Sequence, residues 1–490
     1  MIFRLSSFAA FLVITGFVVT ALAIPCQAAG ELSVGAASIS ITPDERVALD
    51  GQWGLRISGS VESPCLATAV VLETRDGDKS LDQVIFVSCD LCIIRGGEAF
   101  YQLLRERLKG QIPDECLPKI ILNATHTHTG PVFEEGLYQV PESGVMGPTE
   151  YRDFLLSRLA EVVHQAWERR EPAAVAWGLG HAVVAYNRRS VYANGNSVLY
   201  GKTDDPNFRG LEGTEDHGVE ILYFWNRKNE LIATAINVAC PAQEVEGRSA
   251  VNADFWHQVR EALQKQHGPQ LQVLAWTGAA GDQSPHLMYR KAAEARMLKL
   301  QGIDSLQEIA NRIVSTWEEV RKLVEKERHE QIELVHQVET IQLPYRRITE
   351  AQARSSLIAY EAIQDQPRTW RHDWFQNVVK RFERQKAGDP EHYAMTLHAV
   401  RIGDIGVVTN DFELYTDYGT QMKARSPALQ TFVIQLCGNG TYLPTERGAA
   451  GGGYSAVPES TPVGPEGGQV LVEESVRLLQ SLWTAPESRP

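Results

Sequence analysis

Seven cysteines in 490 residues are too few for a disulfide scaffold. Cys89 and Cys92 form a lone Cys-Asp-Leu-Cys with no second pair beside it. They are read as small apolar fillers at a strand end, not as a redox motif. Basic charge is in deficit: 47 Lys and Arg stand against 61 Asp and Glu, a net charge of −14. That balance argues against nucleic acid as a partner and against electrostatic docking on anionic lipid, and it leaves a lipid-like substrate open. Beyond residue 24 no apolar run approaches the length of a membrane-spanning helix. Internal repeats and low-complexity tracts are absent. So is a Gly-x-Ser-x-Gly nucleophile elbow.

The N-terminus explains where the protein is expected to work. Arg4 precedes an apolar run from Phe8 to Ile24, and small residues follow at Ala21, Ala23, Ala28 and Ala29. The pattern is that of a secretory signal covering residues 1–28, so the mature chain is expected to be exported, with no stable membrane insertion. The remainder is long enough for one large elaborated domain or two smaller ones.

Apolar strands alternate with amphipathic helices over most of the chain. Strands are predicted at Ala69–Glu73, Gln83–Ser88, Lys119–Asn123, Ala173–Gly178, Gly218–Trp225, Glu230–Val238 and Leu271–Trp276. Helices are predicted at Ala99–Lys109, Tyr151–Arg169, Asp254–Gln266, Ile303–Glu327 and Val470–Trp483. The alternation predicts an α/β protein with mixed sheets flanked by helices. Residues 345–395 are charged and carry Trp370 and Trp374. They read as a helical insertion, either a lid or a solvated helical pair.

Five segments combine reactive side chains with Gly or Pro turns. His126-Thr127-His128 follows the apolar run Ile120, Ile121, Leu122, and Gly130-Pro131 then turns the chain. Paired histidines at a rigid strand end favour a metal. Cys240, before Pro241 and near Gln243 and Glu244, is either a thiolate ligand or a buried residue before a turn. Ser284, in Gly281-Asp282-Gln283-Ser284-Pro285-His286, is either a nucleophile or a hydrogen-bond donor to a carbonyl oxygen. Glu413 follows the strand-like Val407-Val408-Thr409, where it either binds a ligand or stabilises a helix start. Tyr442 and Tyr454 lie in Gly-rich loops, as exposed binding residues or as loop packing.

Together these segments resemble the catalytic domain of the neutral/alkaline (non-lysosomal) ceramidases. The resemblance rests on His-Thr-His-Thr-Gly-Pro, Gly-Asp-x-Ser-Pro, a Glu-bearing strand end and the late tyrosines, in the family's order over residues 33–485. It implies a zinc-dependent amidase of a linear N-acylated, possibly sphingolipid-like substrate. His126, Glu413 and Tyr442 match zinc ligands, and His128 matches the neighbour that contacts the reacting groups. Ser284 matches the serine proposed as catalytic, Tyr454 a tyrosine near the substrate oxyanion, and Arg188, in Asn187-Arg188-Arg189-Ser190, an active-site arginine. Where the family has its second zinc histidine, this chain has Cys240. Cysteine is a competent zinc ligand, so the expected metal set is His126, Cys240, Glu413 and Tyr442, with Gln243 or Glu244 as other occupants of the vacant position. The family's C-terminal β-sandwich is expected to be absent. Two other readings of the same segments are a degenerate ligand-binding protein on this fold and an esterase.

Overall fold

The computed structural model describes residues 29–366, 369–388 and 391–484. The expected export signal at residues 1–28 lies outside them. Among the described residues no helix is long and apolar enough to cross a membrane.

Two sheets pack face to face, with helices on both outer faces. The larger sheet runs in the order Gln272–Thr277, Leu231–Val238, Gly218–Asn226, Glu171–His181, Gly30–Ser40, Leu66–Asp76, Lys79–Cys89, Ile120–Ala124. The smaller runs Leu334–Pro344, His392–Ile402, Ile405–Thr409, Gln430–Ile434. Strand periodicity explains the layering, because alternate residues point to opposite faces. Val70, Leu72, Val84 and Phe86 face the smaller sheet and share a core with Val400, Ile402, Val407 and Phe432. Their neighbours Ala69, Val71, Ile85 and Val87 pack under the helices Gly97–Leu108 and Pro148–Glu168. At the other end of the large sheet, Val219, Ile221, Ile236 and Val238 meet the helices Phe255–His267 and Ser305–Val324. Leu397, Ala399, Val408 and Val433 face the helices Thr416–Arg425 and Pro465–Ser481. The mixed-sheet α/β architecture is therefore as the sequence predicts.

Within the two sheets most strand pairs are antiparallel, but three are parallel. Lys79–Cys89 lies beside Ile120–Ala124, Leu231–Val238 beside Gln272–Thr277, and Ile405–Thr409 beside Gln430–Ile434. Ligands in open α/β sheets bind outside the carboxyl ends of such strands. All six of these ends feed loops that meet at one place.

Three departures from the predicted elements have physical causes. The predicted helix Ile303–Glu327 is preceded by another, Lys291–Gln301, which buries none of its residues and so lacks an apolar face to detect. The strands Leu334–Pro344 and His392–Ile402 carry His336, Gln337, Glu339 and His398 among their apolar residues, which masks their period of two. These two strands pair with each other. The insertion between them is a helical hairpin, Glu350–Glu361 and Trp370–Lys386.

Candidate metal centre and active site

The turn after Ile120–Ala124 is held by its neighbours. Thr125 N–H donates to the Cys89 carbonyl, His126 N–H to the Leu91 carbonyl, and Ala242 N–H to the Thr125 carbonyl. His126 adopts φ 68, a left-handed conformation uncommon for a residue with a side chain. These bonds turn its ring onto the loop that follows Lys79–Cys89.

The hydrogen-bond network identifies which ring nitrogens carry protons. His126 Nδ1 lies 2.7 Å from the Cys92 carbonyl oxygen. A carbonyl only accepts, so Nδ1 bears the proton and Nε2 presents a lone pair. Arg188 Nη1 donates to Gln243 at 3.0 Å. A guanidinium only donates, which fixes that amide atom as the oxygen. The Gln243 nitrogen then donates to His128 Nε2 at 2.7 Å, leaving the His128 proton on Nδ1, 3.2 Å from Glu246 Oε2. The two unprotonated Nε2 atoms stand 3.3 Å apart. Glu413 Oε2, buried and without a hydrogen bond, lies 3.3 Å from His126 Nε2. An unprotonated His126 Nε2 facing an orphaned carboxylate oxygen, with no proton between them, forms a site for a cation.

The donor chemistry suits zinc. Cys92, His126 and His128 place donor atoms within 4.8 Å of one another. The 3.3 Å between His126 Nε2 and Glu413 Oε2 is about the edge of a tetrahedron with bonds of roughly 2.0 Å, the zinc–nitrogen and zinc–oxygen length. Glu413 is set by main-chain pairing, as Glu413–Leu414 runs parallel to Tyr442–Leu443 with Glu413 opposite Tyr442. Burial acts to raise the Glu413 carboxyl, but His126 and Arg188 outweigh it and hold the group below the usual range. Burial pushes the His128 ring down, against the pull of Glu246. It also raises the Tyr442 hydroxyl and the Cys92 thiol, helped in turn by Glu413 and Asp50.

Two glycines permit this arrangement. Gly51, at φ 88, passes so close to His128 that a Cβ would lie 2.3 Å from its ring. A Cβ on Gly281 would lie 2.2 Å from the Glu413 carbonyl oxygen. Each close approach requires the absence of a side chain.

Of the residues singled out in the sequence, His126, His128, Arg188, Glu413, Tyr442 and Tyr454 line one cavity of about 540 Å³. Cys240 does not. Its Sγ donates to the Val184 carbonyl at 3.3 Å, and the residue is packed among Val245, Phe255, Trp256 and their neighbours. Burial, with Asp254 and Glu244 nearby, pushes its thiol up, as it does that of Cys92. The structure does not bring Cys240 together with the other candidate ligands. Gln243 occupies the place beside His128, and the cysteine of the cavity is Cys92, which the sequence reading had as an apolar filler. Ser284 is also outside the lining. It is fully buried, and its Oγ accepts from Tyr200 Oη at 2.9 Å and from His286 N–H at 3.1 Å. Tyr200 stands between it and the cavity. The two terminal nitrogens of Arg188 donate to Tyr200, Gln243, the Gly281 carbonyl and Tyr442, so its charge organises the site.

Asp50, Arg95, Tyr200 and Glu246 also line the cavity. The sequence carried no motif for them; only the close packing of distant turns assembles them.

The fold is that of the neutral ceramidases. The structure is similar to that of neutral ceramidase from Pseudomonas aeruginosa, with a TM-score of 0.66, 16% identity, and coverage of 94% of this chain and 77% of that one. A ceramidase structure complexed with C2 is similar over the same shares of both chains, with a TM-score of 0.63 and 15% identity. No protein-family model matches the chain, and no curated protein matches it in sequence.

Proposed function

We propose that the chain is an exported, zinc-dependent hydrolase that cleaves the amide bond of an N-acylated substrate. The observation that carries the reading is the unprotonated His126 Nε2 facing the orphaned Glu413 Oε2 at 3.3 Å, with His128 beside them. The likeness to ceramidases supports the reaction class, and the pattern of residues 4–29 supports export. His126 and Glu413 would hold the metal, with Cys92 and Tyr442 as flanking donors. Bound zinc would polarise the scissile carbonyl and acidify water.

The protein's own groups supply the proton chemistry. His128 Nε2 is unprotonated and accepts from the Gln243 amide; once substrate and water displace that amide, the nitrogen takes a proton from the attacking water. Glu246 at Nδ1 stabilises the imidazolium that forms, as the acid of a catalytic triad does. The same proton is then delivered to the departing amine nitrogen. Arg188 holds Gln243, and through it the His128 tautomer. Ser284 orients Tyr200 from behind the cavity wall, a positioning role in place of a nucleophilic one. Tyr454, at the mouth, contacts the substrate. The Cys240 position, from which a loss of catalysis would be argued, lies outside this machinery.

The test is to measure zinc in protein purified without chelator, together with amine release from N-acyl substrates. About one zinc per chain and chelator-sensitive amine release are expected. Undiminished turnover by metal-free protein would overturn the reading.

A further inference from the structure

The cavity has two chemically different parts. Its inner part carries His126, His128, Gln243 and Glu413. Its mouth is walled by Trp53, Trp370, Trp374 and Tyr454, drawn from three remote segments. Trp53 packs at a tilt 4.8 Å from Trp370 and 4.9 Å from Tyr454, and edge-on 6.0 Å from Trp374, centroid to centroid. Trp370 Nε1 donates to the Trp53 carbonyl at 3.4 Å, which ties the helical hairpin to the loop after Asp50. The wall is wet on one side, since Trp53 is 51% and Tyr454 37% exposed.

The rest of the lining is not that of an alkyl tunnel. Ile93, Leu137 and Leu199 are its only aliphatic members among the described residues. It instead carries the Asp50–Arg95 pair, with Arg95 Nε and Nη2 donating to the carboxylate at 2.6 and 2.7 Å. Gln52, Glu459 and Ser460 line it as well. A hydrocarbon chain laid along these groups would strip water from charges and return no hydrogen bond. A polyhydroxylated ring has the opposite profile. Its C–H face lies on flat aromatic rings that lose little entropy on binding. Its hydroxyls meet acceptors and donors held in fixed directions by a bidentate pair.

We propose that the site takes a compact acyl group on the nitrogen of a polyhydroxylated ring, that is, an N-acylated amino sugar rather than a long-chain lipid amide. This rests on the amide-hydrolase reading. Water oxygen adds to the acyl carbon, the C–N bond breaks, and the products are a short carboxylate and a free amino sugar that carries the transferred proton.

The experiment uses the zinc-loaded protein with three probes: the N-acetylglucosamine disaccharide, N-acetylcyclohexylamine and N-palmitoylsphingosine in detergent micelles. Amine release is measured for each. The sugar should exceed both others at least tenfold in kcat/KM. Trp370→Ala and Asp50→Asn should each lower that value at least tenfold, mainly through KM. Equal or faster cleavage of the palmitoyl lipid overturns the proposal. Should no amide be cleaved, tryptophan fluorescence titration with the disaccharide separates the two ideas. Saturable binding weakened by Trp370→Ala supports the ring site while the hydrolase reading fails. Cleavage of the cyclohexyl amide without sugar binding overturns the ring site alone.

Discussion

Glu246 Oε2 faces His128 Nδ1 at 3.2 Å, on the side of the ring opposite the nitrogen that looks into the cavity. In the proposed mechanism the carboxylate balances the charge that develops when Nε2 takes a proton. Glu246→Gln should lower kcat by about 10- to 100-fold with little change in KM. Zinc content should stay at the level of the parent protein. A variant that lost zinc in step with activity would move Glu246 from proton chemistry to metal retention.

The two cysteines nearest the question should behave differently. Cys92→Ala removes a donor beside His126 and should weaken zinc binding about 10-fold or more, read by competition with a chelating dye. Cys240→Ala removes a sulfur from the apolar core and should cost on the order of 1 kcal/mol of stability, with zinc affinity unchanged. The reverse pattern would restore Cys240 as the ligand. His126→Ala and Glu413→Gln should both abolish stoichiometric zinc.

Gly51→Ala tests whether the His128 position depends on a bare backbone. A methyl group there meets the ring at 2.3 Å, in a left-handed conformation that disfavours a side chain. Activity should fall about 100-fold, while circular dichroism and zinc content stay close to those of the parent. Full activity would mean that the ring can shift without consequence.

The core between the sheets carries a built-in acid sensitivity. His336 Nε2 and His398 Nδ1 lie 3.0 Å apart, both buried. Burial lowers both rings, His398 to about 3 and His336 well below its ordinary value. A histidine whose folded pKa lies below its unfolded value contributes fully above about pH 6.5. Below that the unfolded chain binds protons that the folded chain does not, and stability falls. The loss should reach about 2 kcal/mol per group by pH 5. Denaturant unfolding at pH 8 and pH 5 measures it, and His336→Leu/His398→Leu should flatten the difference. An unchanged slope in the double variant would assign the acid sensitivity elsewhere.

The histidine turn and Glu413 were legible because each follows an apolar strand, where the hydrophobic pattern and the reactive group are adjacent in sequence; Tyr442 was legible from its Gly-rich loop and the family resemblance. Most of the large sheet was legible for the same reason, but its strand Gly30–Ser40, rich in Gly, Ala and Ser, was not. What was not legible depends on where side chains point. Cys92 and Cys240 both sit just past strands, and no local pattern says that one faces the cavity and the other the helix Phe255–His267. The ring sequence Trp53, Trp370, Trp374 and Tyr454 joins positions that only tertiary packing brings together. Glu246 and Asp50 reach the centre through turns held by Arg56, which donates to the Asp50, His128 and Glu246 carbonyls. A single arginine at position 56 announces none of this.

The three parallel strand pairs also set an order of events. Cys92, His126, Gln243, Glu413 and Tyr442 each follow a different strand, and they come together only when the first and last quarters of the chain have docked. Contacts that distant in sequence form late, since loop closure must precede any reward from them. The centre is therefore a product of complete folding. A nascent or partly folded chain holds these donors apart, and the centre is assembled only once the whole molecule has closed.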